Sequence, residues 1–261
     1  ELSEPNLPAL RLDECDAETE GSIGYLLEQT LGNVLAARGI EGSVASLITQ
    51  VVVDPSDAAF GTPTKPIGPF YRFEEALERK RKLGWEMVED SGRGWRRVVP
   101  SPRPLEVLEL PAIRAGLAAE VIVIAAGGGG IPVVRREGRL VGVEAVIDKD
   151  RVSALLARNL EAHLLLFSTG VEQVYWHYGR PDQRPLDTLT WEEAQRYLHE
   201  GEFPAGSMGP KIEAALEFLG AGGHRAIITL PEKMKSALRG EAGTEILAPV
   251  AVAGSERVGV R

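Results

Sequence analysis

Six apolar residues, Val121-Ile122-Val123-Ile124-Ala125-Ala126, run directly into four consecutive glycines, 127–130. So short a β-branched run reads as a strand buried on both faces. In open α/β sheets, ligands bind just beyond the ends of such strands. The same rhythm recurs along the chain. Residues 22–38 carry Ile23, Leu26, Leu27, Leu31, Val34 and Leu35 on one helical face, with Gly39 in the capping position. Val44 to Val53 reads as a strand, 111–119 as a helix, and 131–134 with 140–146 as a hairpin. Asp148 caps a helix over 149–160, and 163–167 is another buried strand. Thr190 and Glu193 form a capping-box pair for a helix through about His199, followed by a helix over 207–219 and strands at 226–229 and 244–247. The expected fold is an open αβα sandwich with a mostly parallel central sheet.

Between residues 55 and 104 the rhythm breaks. Prolines 55, 63, 66, 69, 100, 102 and 104 punctuate the segment, which also carries two of the four tryptophans. It is expected to be an inserted lid subdomain, with 1–54 and 105–261 forming the main domain.

The chain has 29 Lys and Arg against 38 Asp and Glu, a net charge of −9. That balance discourages nucleic acid or an anionic membrane as partner, since both need a basic footprint. No apolar run approaches the length of a membrane span. Cys15 is the only cysteine, which excludes an intrachain disulfide and suits a reducing cytoplasm. The four histidines lack metal-ligand spacing, so no protein-held metal is expected.

In so acidic a chain, an anion site must gather its positive groups locally. Gly127, Gly128, Gly129 and Gly130 allow backbone N–H groups to approach an anion, although a flexible turn has the same composition. The nucleotide-loop patterns do not fit. No Gly-Lys-Ser/Thr ending is present, and Pro132 stands where the dinucleotide pattern needs its last Gly or Ala. Asp148-Lys149-Asp150 places a lysine at a strand-to-helix junction, and Met208-Gly209-Pro210-Lys211 places one in a first helical turn, against the dipole unless an anion lies between them. Lys65 sits among Pro63, Pro66 and Pro69, in what reads as a stiffened loop. Residues 91–104 hold Arg93, Arg96, Arg97 and Arg103 with no acid, either a carboxylate- or phosphate-binding patch or a basic surface.

Taken in order, these segments resemble the carbamate kinases of the amino-acid kinase superfamily. The matching stretches are Gly21-Ser22-Ile23-Gly24-Tyr25, residues 49–55 (TQVVVDP), 62–70 (TPTKPIGPF), 89–102 (EDSGRGWRRVVPSP), 127–133 (GGGGIPV), 142–150 (GVEAVIDKD), Thr169-Gly170-Val171, 207–215 (SMGPKIEAA) and Gly243-Thr244. The resemblance implies reversible phosphoryl transfer between carbamoyl phosphate and ADP, with Mg2+ bound alongside ATP or ADP, in a cytoplasmic homodimer. It implies catalytic roles for Lys149, Lys211 and Lys65, with Asp148 positioning Lys149. Gly127 to Gly130 and Arg93 would meet the carbamoyl phosphate, and Thr169, Gly170, Val171, Tyr178, Met208, Pro210 and Lys211 the nucleotide. Two departures stand out. Such kinases usually carry Gln where Glu20 stands, and their first strand and two N-terminal phosphate-side loops have no counterpart here, so this chain alone is expected to be poorly active. The alternatives are a related amino-acid kinase, or a silent nucleotide-binding scaffold.

Overall fold

In the computed structural model, which describes residues 10–90, 92–204 and 206–249, helix α1 (Leu12–Ala37) begins well ahead of the expected residue 22. Its first turns are polar, so apolar periodicity does not register them. Asp13 and Glu14 favour the positive end of the helix, and the Glu14 carboxylate accepts the Arg11 N–H at 3.0 Å. The stripe expected to face inward does not. Ile23, Leu26 and Leu27 are about half exposed, while Glu20 and Gly24 are the buried residues of the helix. Gly24 lets the helix come down on Ser46, which a Cβ there would crowd at 3.0 Å.

The chain divides into two units, 1–156 and 157–261. In the first, the expected strand over 44–53 is two strands, β1 (Val44–Ser46) and β2 (Gln50–Val53). The interruption at Thr49 has a use. Its N–H donates to Glu20 and its hydroxyl to the Leu47 carbonyl, while its own carbonyl accepts the Ile131 N–H. The chain continues through β3 (Lys65–Tyr71), α2 (Phe73–Leu83), β4 (Glu86–Glu89), β5 (Trp95–Val99), β6 (Pro104–Val107), α3 (Leu110–Ala118), β7 (Ile122–Ile124), β8 (Ile131–Arg136), β9 (Arg139–Gly142) and α4 (Lys149–Asn159). β1 pairs with β7 in parallel, and a second sheet runs β6-β2-β8-β9 with a parallel β2–β8 centre. Val51, Val53, Val134, Ile147 and Val152 are almost completely buried around it. Each such side chain is worth about 1.5–3 kcal/mol relative to exposure.

The proline-rich segment is more regular than its composition suggests. β3, β5 and β4 form a separate antiparallel sheet in that order. Lys65 therefore lies at the start of a strand and not in a loop, which corrects the sequence expectation. Pro66 and Pro69 are tolerated because β3 is an edge strand, and its register slips between Ile67 and Tyr71, around Gly68 at φ +69°. Ser91, within the arginine-rich stretch, lies outside the described residues.

The second unit holds β10 (Leu164–Ser168), β11 (Val174–Trp176), β12 (Arg184–Leu186), β13 (Thr188–Leu189), α5 (Trp191–His199), α6 (Met208–Gly220), β14 (Arg225–Thr229), α7 (Met234–Leu238) and β15 (Thr244–Leu247). Its sheet order is β10-β14-β15-β13, with β10–β14 and β13–β15 parallel. Ile227 and Ile228 of β14 are buried beside Ile212, Phe218 and Leu219 of α6. The Thr190–Glu193 capping box forms as expected, with the Glu193 N–H donating to Thr190 Oγ1 at 3.1 Å. Among the described residues, no helix is long and apolar enough to cross a membrane.

Candidate active site

In the first unit, the strand β7 delivers the chain into a single tight turn over Gly127–Gly129. Ala126 enters it at φ 54°, held by a hydrogen bond from its N–H to Thr49 Oγ1 of 2.9 Å. Two of the glycines are required by close approach. At Gly129, with φ +126°, a Cβ would overlap the carbonyl group of Ile147, and at Gly130 one would overlap the Val51 side chain. The turn is thus seated directly on the backbone that precedes Asp148, and two motifs that the sequence keeps apart are brought together.

Asp148 is 7% exposed. One carboxylate oxygen accepts the Asp150 N–H at 2.9 Å, capping α4, and the other is paired with the Lys65 ammonium at the start of β3. Burial alone would push this carboxyl up. Lys65, the Asp150 N–H and the nearby Lys149 together outweigh it and hold the group below the usual aspartate range. The ion-pair partner of Asp148 is therefore Lys65, whereas Lys149, exposed in the first turn of α4, acts on it through space. Arg93 pairs with Asp90 at 3.2 Å and lies over the Phe70 ring at 4.8 Å, so these partners come from the same 55–104 segment.

Glu20, flagged by the sequence only as an unusual residue type, lies against this turn. It is buried, with Oε2 accepting the Thr49 N–H at 2.7 Å.

The second unit carries a cavity of about 200 Å³. Thr169, Gly170 and Val171, just past β10, line it together with Tyr178 and Met208, so five of the residues expected at the nucleotide converge. Pro210 and Lys211 lie in the first turn of α6, and Lys211 is 7% exposed. That turn holds no acidic residue, in contrast to the first turn of α5 with Glu192 and Glu193. The sequence reading missed Gln173, Tyr175, Phe203, Pro204 and Ser207, which line the same cavity. Gln173 and Tyr175 lie in sequence between Val171 and Tyr178, which were singled out. Phe203 and Pro204 come from a connection with no periodic signal. Thr244 has a structural part here: its hydroxyl accepts the Val174 N–H at 2.8 Å and donates to the Leu186 carbonyl at 2.5 Å, holding the β11–β12 hairpin.

The sequence signature of the Amino acid kinase family matches residues 19–230. Carbamate kinase 2 of Enterococcus faecalis is 51% identical over 94% of this chain and 78% of its own length. Carbamate kinase of Thermococcus kodakarensis is 46% identical over 92% of this chain and 76% of its own. Among solved structures, carbamate kinase from Giardia lamblia bound to AMP-PNP superposes with a TM-score of 0.84 at 42% identity, covering 93% of this chain and 77% of that one.

Proposed function

This chain belongs to the amino acid kinase family and, within it, to the carbamate kinases, and on that premise we propose that it transfers a phosphoryl group reversibly between carbamoyl phosphate and ADP. The observation that carries the reading is the seating of the glycine turn on Ile147, next to an Asp148 already paired with Lys65. It gathers a backbone anion cradle and two lysines within a protein of net charge −9.

Phosphoryl transfer asks little covalent chemistry of a protein. It asks for alignment and for positive charge on the oxygens of the transferring group. Gly127 to Gly130 would receive the acyl phosphate, with Lys149 and Lys65 on its oxygens. Asp148 keeps Lys65 in place before the anion arrives and shares it afterwards. In the second unit, the cavity lined by Gly170, Tyr178 and Met208 would take the nucleoside, and Lys211 the phosphates at the head of α6. Arg93 is proposed to reach the carbamoyl phosphate by leaving Asp90.

Among the described residues, no cluster of three or more His, Cys, Asp or Glu could cage a metal ion. A magnesium ion would come with the nucleotide, its shell mostly phosphate and water. Such an ion would supply charge neutralisation on the phosphates. The exposed apolar stripe of α1 supports a homodimer, and the single cysteine supports a reducing, cytoplasmic setting.

The direct test is ATP formation from ADP and carbamoyl phosphate with the purified protein. Turnover of a different acyl phosphate in preference to carbamoyl phosphate would replace this reading with that of a related amino-acid kinase.

A further inference from the structure

Beside the glycine turn lies a cavity of about 70 Å³, lined by Glu20, Gly24, Ser46, Ile124, Gly127 and Gly128 among others. Glu20 is 6% exposed. While its Oε2 takes the Thr49 N–H, its Oε1 is buried and finds no hydrogen-bond partner among the described residues, and Ser46 Oγ is in the same condition. A Cβ on Gly127 would stand 3.7 Å from Glu20 Cγ, so the stem of the carboxyl is in contact distance of the turn. Leaving a buried polar atom unpaired costs on the order of 1–3 kcal/mol. Both residues line this one cavity, so two buried polar groups without partners border it.

We propose that Glu20 is a specificity-determining group of the anion site at the glycine turn: protonated, its free Oε1–H donates to an oxygen of the bound oxyanion, and ionised, it repels that anion. The proposal rests on the reading of residues 127–130 as an acyl-phosphate cradle. Only the neutral acid has a proton to donate, and the ionised group is acceptor-only. The charged groups that act on Glu20 are Asp16, one turn earlier on α1, and Glu109 at the head of α3, both acidic. Glu28 of α1 is engaged with the Ser46 N–H, and Asp13 and Glu144 bear on Asp16. Burial pushes the Glu20 carboxyl up to about 7; the Thr49 N–H opposes this, and Asp16 and Glu109 add to it. The proton is therefore gained or lost near neutral pH. A glutamine at this position would be neutral at every pH.

The experiment is calorimetric titration of sulfate, an oxyanion whose charge is constant over this range, into the wild-type protein and Glu20→Gln between pH 5.5 and 8.5. The expected result is a wild-type affinity falling roughly tenfold or more across the range, in proportion to loss of one proton, with Glu20→Gln changing less than about threefold. Parallel pH curves in the two proteins would overturn the proposal while leaving the cradle intact. Absence of sulfate binding to both at every pH would overturn the cradle and the proposal with it.

Discussion

Lys65 and Asp148, separated by 83 positions, form an ion pair that ties the β3–β5–β4 sheet to the first turn of α4. The carboxylate is the more buried partner, with its side chain 10% exposed against 27% for the lysine. Removing the lysine therefore strands a buried charge, and removing the carboxylate frees an ammonium that can still reach solvent. The two substitutions are not equivalent.

Lys65→Ala is expected to lower turnover with carbamoyl phosphate about 100-fold, the range for losing a preorganised charge contact. ADP affinity should stay within a few-fold, which calorimetry on the variant would check. An equal loss of ADP affinity would assign Lys65 to the nucleotide instead.

Lys149→Ala and Lys211→Ala are each expected to reduce kcat about 100-fold or more, because both charges act most strongly on the transition state. Steady-state kinetics with both substrates provides the measurement. Near-normal kcat in both variants would remove these lysines from the chemistry.

Gly129→Ala combines a φ of +126° with overlap onto the Ile147 carbonyl and is expected to cost about 2–4 kcal/mol in chemical denaturation. Gly128→Ala, at φ +73° with nothing near its Cβ, should cost only about 1–2 kcal/mol. Equal losses at the two positions would show that the seating on Ile147 does not hold the turn.

Asp16 and Glu20 are both pushed up to about 7, chiefly by burial. For a group whose folded value is raised, the folded state holds more protons than the unfolded chain. Stability is then complete below the ordinary carboxylate range and is lost as pH rises toward and through 7. Each group contributes a slope of at most about 1.4 kcal/mol per pH unit. Denaturant midpoints between pH 5 and 8 should therefore fall with rising pH, and Glu20→Gln should fall less steeply.

Tyr178→Ala removes an aromatic wall from the cavity of the second unit and is expected to weaken ADP binding roughly 3- to 10-fold. The KM for carbamoyl phosphate should not follow. Isothermal titration beside kinetics separates the two.

Local features were the legible ones. The capping box at Thr190 and the strand at 244–247 each depend on neighbours in sequence, and each is present, whereas the run into the glycines forms a strand that is not buried on both faces, with Ile122 41% exposed. What escaped depends on partners far along the chain. Prolines 66 and 69 argue against a strand unless one knows that β3 has only one neighbour, β5. The apolar stripe of α1 has ordinary helical spacing, yet Gly24 and Glu20 decide which face turns inward. At the candidate site, the glycines and lysines were readable from residue type and position. The pairing of Asp148 with Lys65, the seating on Ile147 and the contributions of Phe203 and Pro204 were not, because no spacing encodes them.

The seating of Gly129 on Ile147 has a genetic corollary. The conflict created by a side chain at 129 is with the main chain of residue 147, its carbonyl oxygen and carbon. No change of side chain at 147 removes those atoms. A screen for second-site suppressors of Gly129→Ala should therefore return no compensating allele at codon 147. Its revertants should instead fall where they let the whole segment leading into α4 shift, or restore the glycine itself.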